Sequence, residues 1–132
     1  MAEKIRVLFI DDDFDFVKAA GVVFDSMGLE VIPASTEAEG FQKLQTEQAD
    51  VIVLDLVLEN VDEGFSIVRK IRNRFNSDVP VVMLSSLAEI TGRSLKPEEH
   101  PDYFPVNRFL EKPVSPGTLI RQIRDVLGKG DV

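Results

Sequence analysis

The 132 residues contain no cysteine, no tryptophan and a single histidine, His100. Without cysteine there is no disulfide framework, no thiolate zinc site and no Cys nucleophile. One histidine is too few for a His-rich metal centre. Seven prolines and eight glycines are too few for a disordered or fibrous chain. No run approaches the roughly 18 apolar residues that a spanning helix needs, and the opening Met-Ala-Glu-Lys lacks the basic-then-apolar layout of a signal peptide. Positive charge is also short: 15 Lys+Arg stand against 23 Asp+Glu, a formal charge of -8. Phosphate backbones demand cationic surface, so nucleic acid is a poor partner for this chain. What remains is a single domain of ordinary size, expected to be soluble and cytoplasmic.

The acids are unevenly spread. Residues 1–63 carry 4 basic and 15 acidic residues, and residues 64–132 carry 11 and 8, so the first half holds the negative charge. Solvated helix faces can produce such an imbalance. The densest cluster, however, is Asp11, Asp12 and Asp13, with Asp15 close behind, directly after an apolar run. Adjacent carboxylates repel one another, which favours a bound cation or a helix N-terminus nearby.

The hydrophobic pattern alternates between two periods. Ile5–Ile10 reads as a buried strand. A helix follows from Phe14, with Phe16, Ala20, Val23, Phe24 and Met27 expected on one face and Gly28 ending it. Val31-Ile32 forms a second strand closed by Pro33. Thr36 and Glu39 make a capping box for a helix carrying Ala38, Phe41 and Leu44. Val51–Leu54 is a third strand, ending at Asp55. Phe65, Val68, Ile71 and Phe75 mark a third helix, with Arg69, Lys70, Arg72 and Arg74 on its outer face. Val79–Leu84 and Arg108–Leu110 are the remaining strands. Ser115-Pro116 caps a last helix built on Leu119, Ile120, Ile123, Val126 and Leu127. Between Leu87 and Tyr103 the rhythm breaks, because Pro97 and Pro101 interrupt any helix there. The fourth helix is therefore expected to be short or disrupted.

Strands too apolar to be one-sided, alternating with helices, imply a parallel sheet covered on both faces. The expected fold is α/β, doubly wound and flavodoxin-like, with five strands in the order 2-1-3-4-5. In such sheets ligands sit at the carboxyl edge, beside strands 1 and 3. Asp11, Asp12 and Asp55 gather at that edge, joined by Ser85 after strand 4 and Lys112 after strand 5. Carboxylates without nitrogen or sulfur ligands suit a hard cation such as Mg²⁺. A carboxylate can also attack phosphorus, giving an aspartyl phosphate. A lone Asp after a strand is usually a turn residue and a lone Lys a surface charge; Asp13 reads as the N-cap of the first helix. Joint placement at four strand ends carries the argument.

The stretches VLFIDDD (7–13), VIVLDLVL (51–58), VPVVMLSS (79–86) and FLEKPVSP (109–116) resemble the receiver domains of two-component response regulators, across essentially the whole chain. The resemblance implies that Asp55 is the phosphoacceptor and that the Mg²⁺ site is made by Asp12 as a direct ligand, Asp11 acting mainly through water, Asp55 and the backbone carbonyl of Val57. It makes Ser85 and Lys112 the groups that hold the phosphoryl oxygens, and Ser85 with Phe109 the switch pair. The implied partner is a histidine kinase or histidine phosphotransfer protein, with a downstream protein or output domain receiving the signal. The chain is read as one receiver domain, 1–132, with no output domain of its own. It would be a signalling protein and not a metabolic enzyme, catalysing only its own phosphorylation and slow dephosphorylation.

Three stretches depart from the family pattern. The loop Glu59–Gly64 lacks the usual proline and is one residue longer. The span from Ser85 to Lys112 is longer than usual, so the family's common dimer through this face is not carried over. Val57 and Leu87 are both apolar, and neither can orient an attacking water, which predicts a long-lived phosphoryl group. Two other readings compete. One is an aspartate-nucleophile phosphatase of the haloacid dehalogenase type, since Asp11-x-Asp13 fits its motif superficially. The other is a receiver-like module that is never phosphorylated, against which the intact acid, hydroxyl and lysine set argues.

Overall fold

A computed structural model of the chain describes residues 4–55, 61–73, 79–85, 107–111 and 114–128. These form β1 (Ile5–Asp11), α1 (Phe14–Ser26), β2 (Leu29–Ala34), α2 (Glu37–Thr46), β3 (Val51–Asp55), α3 (Val61–Asn73), β4 (Val81–Ser85), β5 (Arg108–Glu111) and α4 (Pro116–Val126). The strands pair in parallel in the order β2-β1-β3-β4-β5. The expected interruption of the helix around Pro97 and Pro101 lies outside the described residues.

Alternation along each central strand feeds two cores. Val7, Phe9, Val51, Val53, Val82 and Leu84 face α1 and α4, meeting Val17, Ala20, Phe24, Leu119, Ile120 and Ile123. Leu8, Ile10, Ile52, Leu54, Val81 and Met83 face the other way, against Ile67, Val68 and Ile71 of α3 and the partly buried Phe41 and Leu44 of α2. Phe9 anchors the first layer, with Phe16 edge-on at 6.0 Å and Phe24 tilted at 6.2 Å between ring centroids. Burying both faces is what made the strands read as continuous apolar runs.

Local chemistry sets the element ends. Asp13, Thr36 and Ser115 cap α1, α2 and α4 through their side chains. The capping box at α2 is half formed: Thr36 accepts the Glu39 N–H at 3.1 Å, while the Glu39 carboxylate accepts the Ser35 hydroxyl. Gly28 follows α1 at φ +84°, a left-handed conformation that a side chain would strain.

The sequence misplaced parts of two helix faces. On α1 the buried stripe is Val17, Ala20 and Phe24, whereas Val23 and Met27 are exposed at 39% and 51%. The helix is rotated so that Val17, Ala20 and Phe24, and not Val23 and Met27, meet the core beneath. On α2, Ala38 is exposed and Gly40 is buried. The reason is a close approach: a Cβ at Gly40 would sit 2.6 Å from Ile10 Cδ1. β2 is also longer than Val31-Ile32 suggested and contains Pro33. As an edge strand it tolerates the missing N–H.

The amino edge of the sheet is held by polar contacts that periodicity does not reveal. Arg6 bridges Glu30 at 3.4 Å and Glu47 at 3.0 Å, and its N–H donates to Asp50. Asn107 donates its backbone N–H to Val81 O and accepts the Val81 N–H and the Arg72 guanidinium on its side-chain oxygen. This ties the end of α3 to the start of β4 and β5.

Gly40→Ala should destabilise the fold by about 1–3 kcal/mol, because a methyl forced against Ile10 overpacks a dense interior. A denaturant midpoint that does not fall would contradict the contact.

Candidate functional site

The acidic edge is built by strand register. β1 and β3 lie side by side, and the last residue of each, Asp11 and Asp55, are direct register partners. The chain leaves β1 toward β2 on one side and reaches β3 on the other, so this is the point where the strand order reverses. A crevice at such a point is where doubly wound sheets bind ligands. Residues 7, 9, 51 and 53 alternate onto the face of α1 and α4, and by the same alternation so do 11 and 55.

Both carboxylates are buried, Asp11 at 2% exposure and Asp55 at 3%, and among the described residues they are the buried charged side chains. Carboxylates at neighbouring-strand spacing, about 5 Å, repel by roughly 3 kcal/mol at an effective dielectric near 20. Such an arrangement is tolerated only where positive charge or hydrogen-bond donors lie close to it. The donor set is oxygen only, which fits a hard cation such as Mg²⁺.

The turn after β1 fixes one of the two. Asp11 Oδ1 accepts the Asp13 N–H at 2.8 Å, and Asp13 Oδ1 accepts the Phe16 N–H at 3.1 Å. Asp13 is thus the α1 N-cap, as its position in the sequence implied. Asp12 stands between them and is exposed. Among the described residues no three acidic or histidine side chains close into a ready-made metal cluster. The expected convergence of three carboxylates is therefore, in this structure, a buried pair with a third acid on the rim. Mg²⁺ does not require more, since it keeps several waters and takes only one or two carboxylates.

The other expected site residues are placed in part. Ser85 is the last residue of β4, in register with Glu111, and Phe109 is in β5 opposite Met83. Val57 and Lys112 lie outside the described residues, as does Leu87. Three sets of contacts were missed by sequence reasoning: the Asp13-to-Asp11 bond, and the Arg6 and Asn107 junctions at the opposite edge. An Asp two residues before an N-cap was a signal for the first, because Asx side chains bond backbone two residues on.

The fold and site together define a doubly wound α/β domain with a buried acid pair at its switch point. Within that class the chain belongs to the response regulator receiver domains, whose family model matches residues 7–124. It is 31% identical over 98% of its length to the probable transcriptional regulator ycf27 of Pyropia yezoensis, covering 50% of that protein. The transcriptional regulatory protein CseB of Streptomyces coelicolor is 31% identical over 96% of the chain, which covers 51% of it. The chain therefore spans about half the length of these curated relatives. Among solved structures, the receiver domain of the Francisella response regulator 1452 superposes with a TM-score of 0.75 at 27% identity, covering 96% of this chain and 98% of that one. The chemotaxis response regulator CheY4 of Vibrio cholerae gives 0.72 at 25% identity, with 93% and 98% covered. Among the described residues no helix is long and apolar enough to cross a membrane.

Proposed function

We propose that this domain is a phosphorylation-dependent signalling switch, in which Asp55 takes a phosphoryl group from a phosphohistidine on a histidine kinase or phosphotransfer protein. The observation that carries the reading is the buried register pair of Asp11 and Asp55 at the switch point of a receiver fold. An Asp55 carboxylate oxygen attacks phosphorus, a P–O bond forms, the P–N bond to the donor imidazole breaks, and the imidazole takes up a proton. Burial strips water from Asp55 and holds it where an incoming phosphoryl group meets the carboxyl edge.

Asp11, Asp12, Asp55 and the Val57 carbonyl would hold Mg²⁺. The cation supplies neutralisation of the charge on the phosphoryl oxygens. Lys112 holds a second oxygen by its ammonium and Ser85 a third by its hydroxyl. Movement of Ser85 toward the phosphoryl group opens room for the Phe109 ring, a local charge event that biases a two-state surface. The signal then passes to a partner protein or an output domain. Turnover of external substrates is no part of this reading. Against the phosphatase alternative, its motif usually continues to a Thr or Val, whereas Phe14-Asp15 follow Asp13 here, and Asp13 caps α1.

Incubation with Mg²⁺ and acetyl phosphate should add one phosphoryl group to the intact mass, and Asp55→Asn should abolish the addition. No labelling, together with no Mg²⁺-dependent beryllofluoride binding, would end the reading. Val57 and Leu87 both lack a polar atom to orient water, so the phosphoryl group should be long-lived. Val57→Asn should shorten its lifetime; an unchanged decay rate would contradict the shielding argument.

A further inference from the structure

We infer that Asp13 is a positioning residue for the cation site, acting through the backbone of the turn and not through its charge. The inference rests on the reading of Asp11 as part of the Mg²⁺ site, held mainly through water. Three hydrogen bonds meet at Asp13. Its N–H donates to Asp11 Oδ1 at 2.8 Å, its side chain accepts the Phe16 N–H at 3.1 Å, and its carbonyl accepts the Val17 N–H at 3.1 Å. The last two lock residue 13 to the first turn of α1. That helix is itself fixed by Val17, Ala20 and Phe24 in the core.

The direction in which the Asp13 N–H points is thus inherited from a packed helix. It holds one oxygen of a buried carboxylate and so restricts how that carboxylate turns. Outer partners that orient a ligand in this way are part of what sets metal affinity. The Asp13 carboxylate is exposed and lies at a helix N-terminus, where free N–H groups and the helix dipole balance negative charge. Its charge is accounted for where it stands. Of the three consecutive acids, the third therefore orders the first.

The test is a Mg²⁺ titration by calorimetry on the unaltered protein and on Asp13→Ala, Asp13→Asn and Asp13→Ser, with folding checked by circular dichroism. Asp13→Ala should weaken Mg²⁺ binding by about tenfold, the low end of the loss when an outer partner is removed. Asn and Ser cap helices about as well as Asp, so both should stay within about twofold of the unaltered protein. Thr36→Ala, which removes the cap of α2 on the opposite face of the sheet, should leave the affinity unchanged. The inference is overturned if Asp13→Ala binds as the unaltered protein does, or if Asp13→Asn is as weak as Asp13→Ala, which would make the charge responsible. It is also overturned if Thr36→Ala weakens binding equally, which would mean general loosening. Should Asp13→Ala fail to fold, weak binding by a folded Asp13→Ser or Asp13→Asn still overturns the inference, and Asp13→Gly, which has no side chain to cap the helix, replaces Ala: weakened binding supports the inference and unchanged binding overturns it. Absence of Mg²⁺ binding by the unaltered protein would instead remove the reading of the site itself.

Discussion

The parallel pairing of β1 with β3 is the constraint on which the rest depends. It is the only place where a ladder of buried, apolar backbone terminates in two charged side chains opposite one another among the described residues. Each strand is held by neighbours on both sides, β1 by β2 and β3, and β3 by β1 and β4. A shift of either strand by one residue would turn its apolar set to the wrong core and separate the two acids. The hydrophobic effect that sets the register therefore also sets the two acids side by side. Two full apolar layers oppose any slip that would part them.

The helices have unequal parts in this. α1 is tied to the acid pair through its N-cap, Asp13, whose N–H donates to Asp11, and to the core through Phe24 against Phe9. α4 is linked back to the end of α1, where Arg124 donates to the Met27 carbonyl at 2.7 Å. α2 comes close enough to β1 to need Gly40 over Ile10, one residue from Asp11. The amino edge, held by Arg6 and Asn107, carries no buried charge among the described residues and has a supporting role. Buried acids stand at one edge of the strands and polar fastenings at the other.

Much of this was legible beforehand. The strands announced themselves because burial on both faces demands unbroken Val, Ile and Leu, and the caps because Asp13, Thr36 and Ser115 bond within three residues of themselves. Asp11 and Asp55 were legible as strand-final acids. The faces of α1 and α2 were less so. Val23 and Met27 fit the helical spacing as well as Val17 does, and only the shape of the sheet surface beneath chose between them. Gly40 looked like a flaw in a helix and is a contact. Asn107 and Arg6 gave no signal, since their partners are distant in the chain.

The amino-acid sequence by itself determined the alternation of strand and helix, the helix ends and which residues could carry chemistry, because each depends on period or on neighbours a few positions away. Tertiary structure decided which of those residues meet. That Asp11 and Asp55 are partners, 44 positions apart, follows from β1 and β3 being adjacent in the sheet. That Asp12 stands at the rim while Asp11 is buried follows from where β1 stops. Registers between distant strands arise from the packing of both cores at once, and no local pattern contains them.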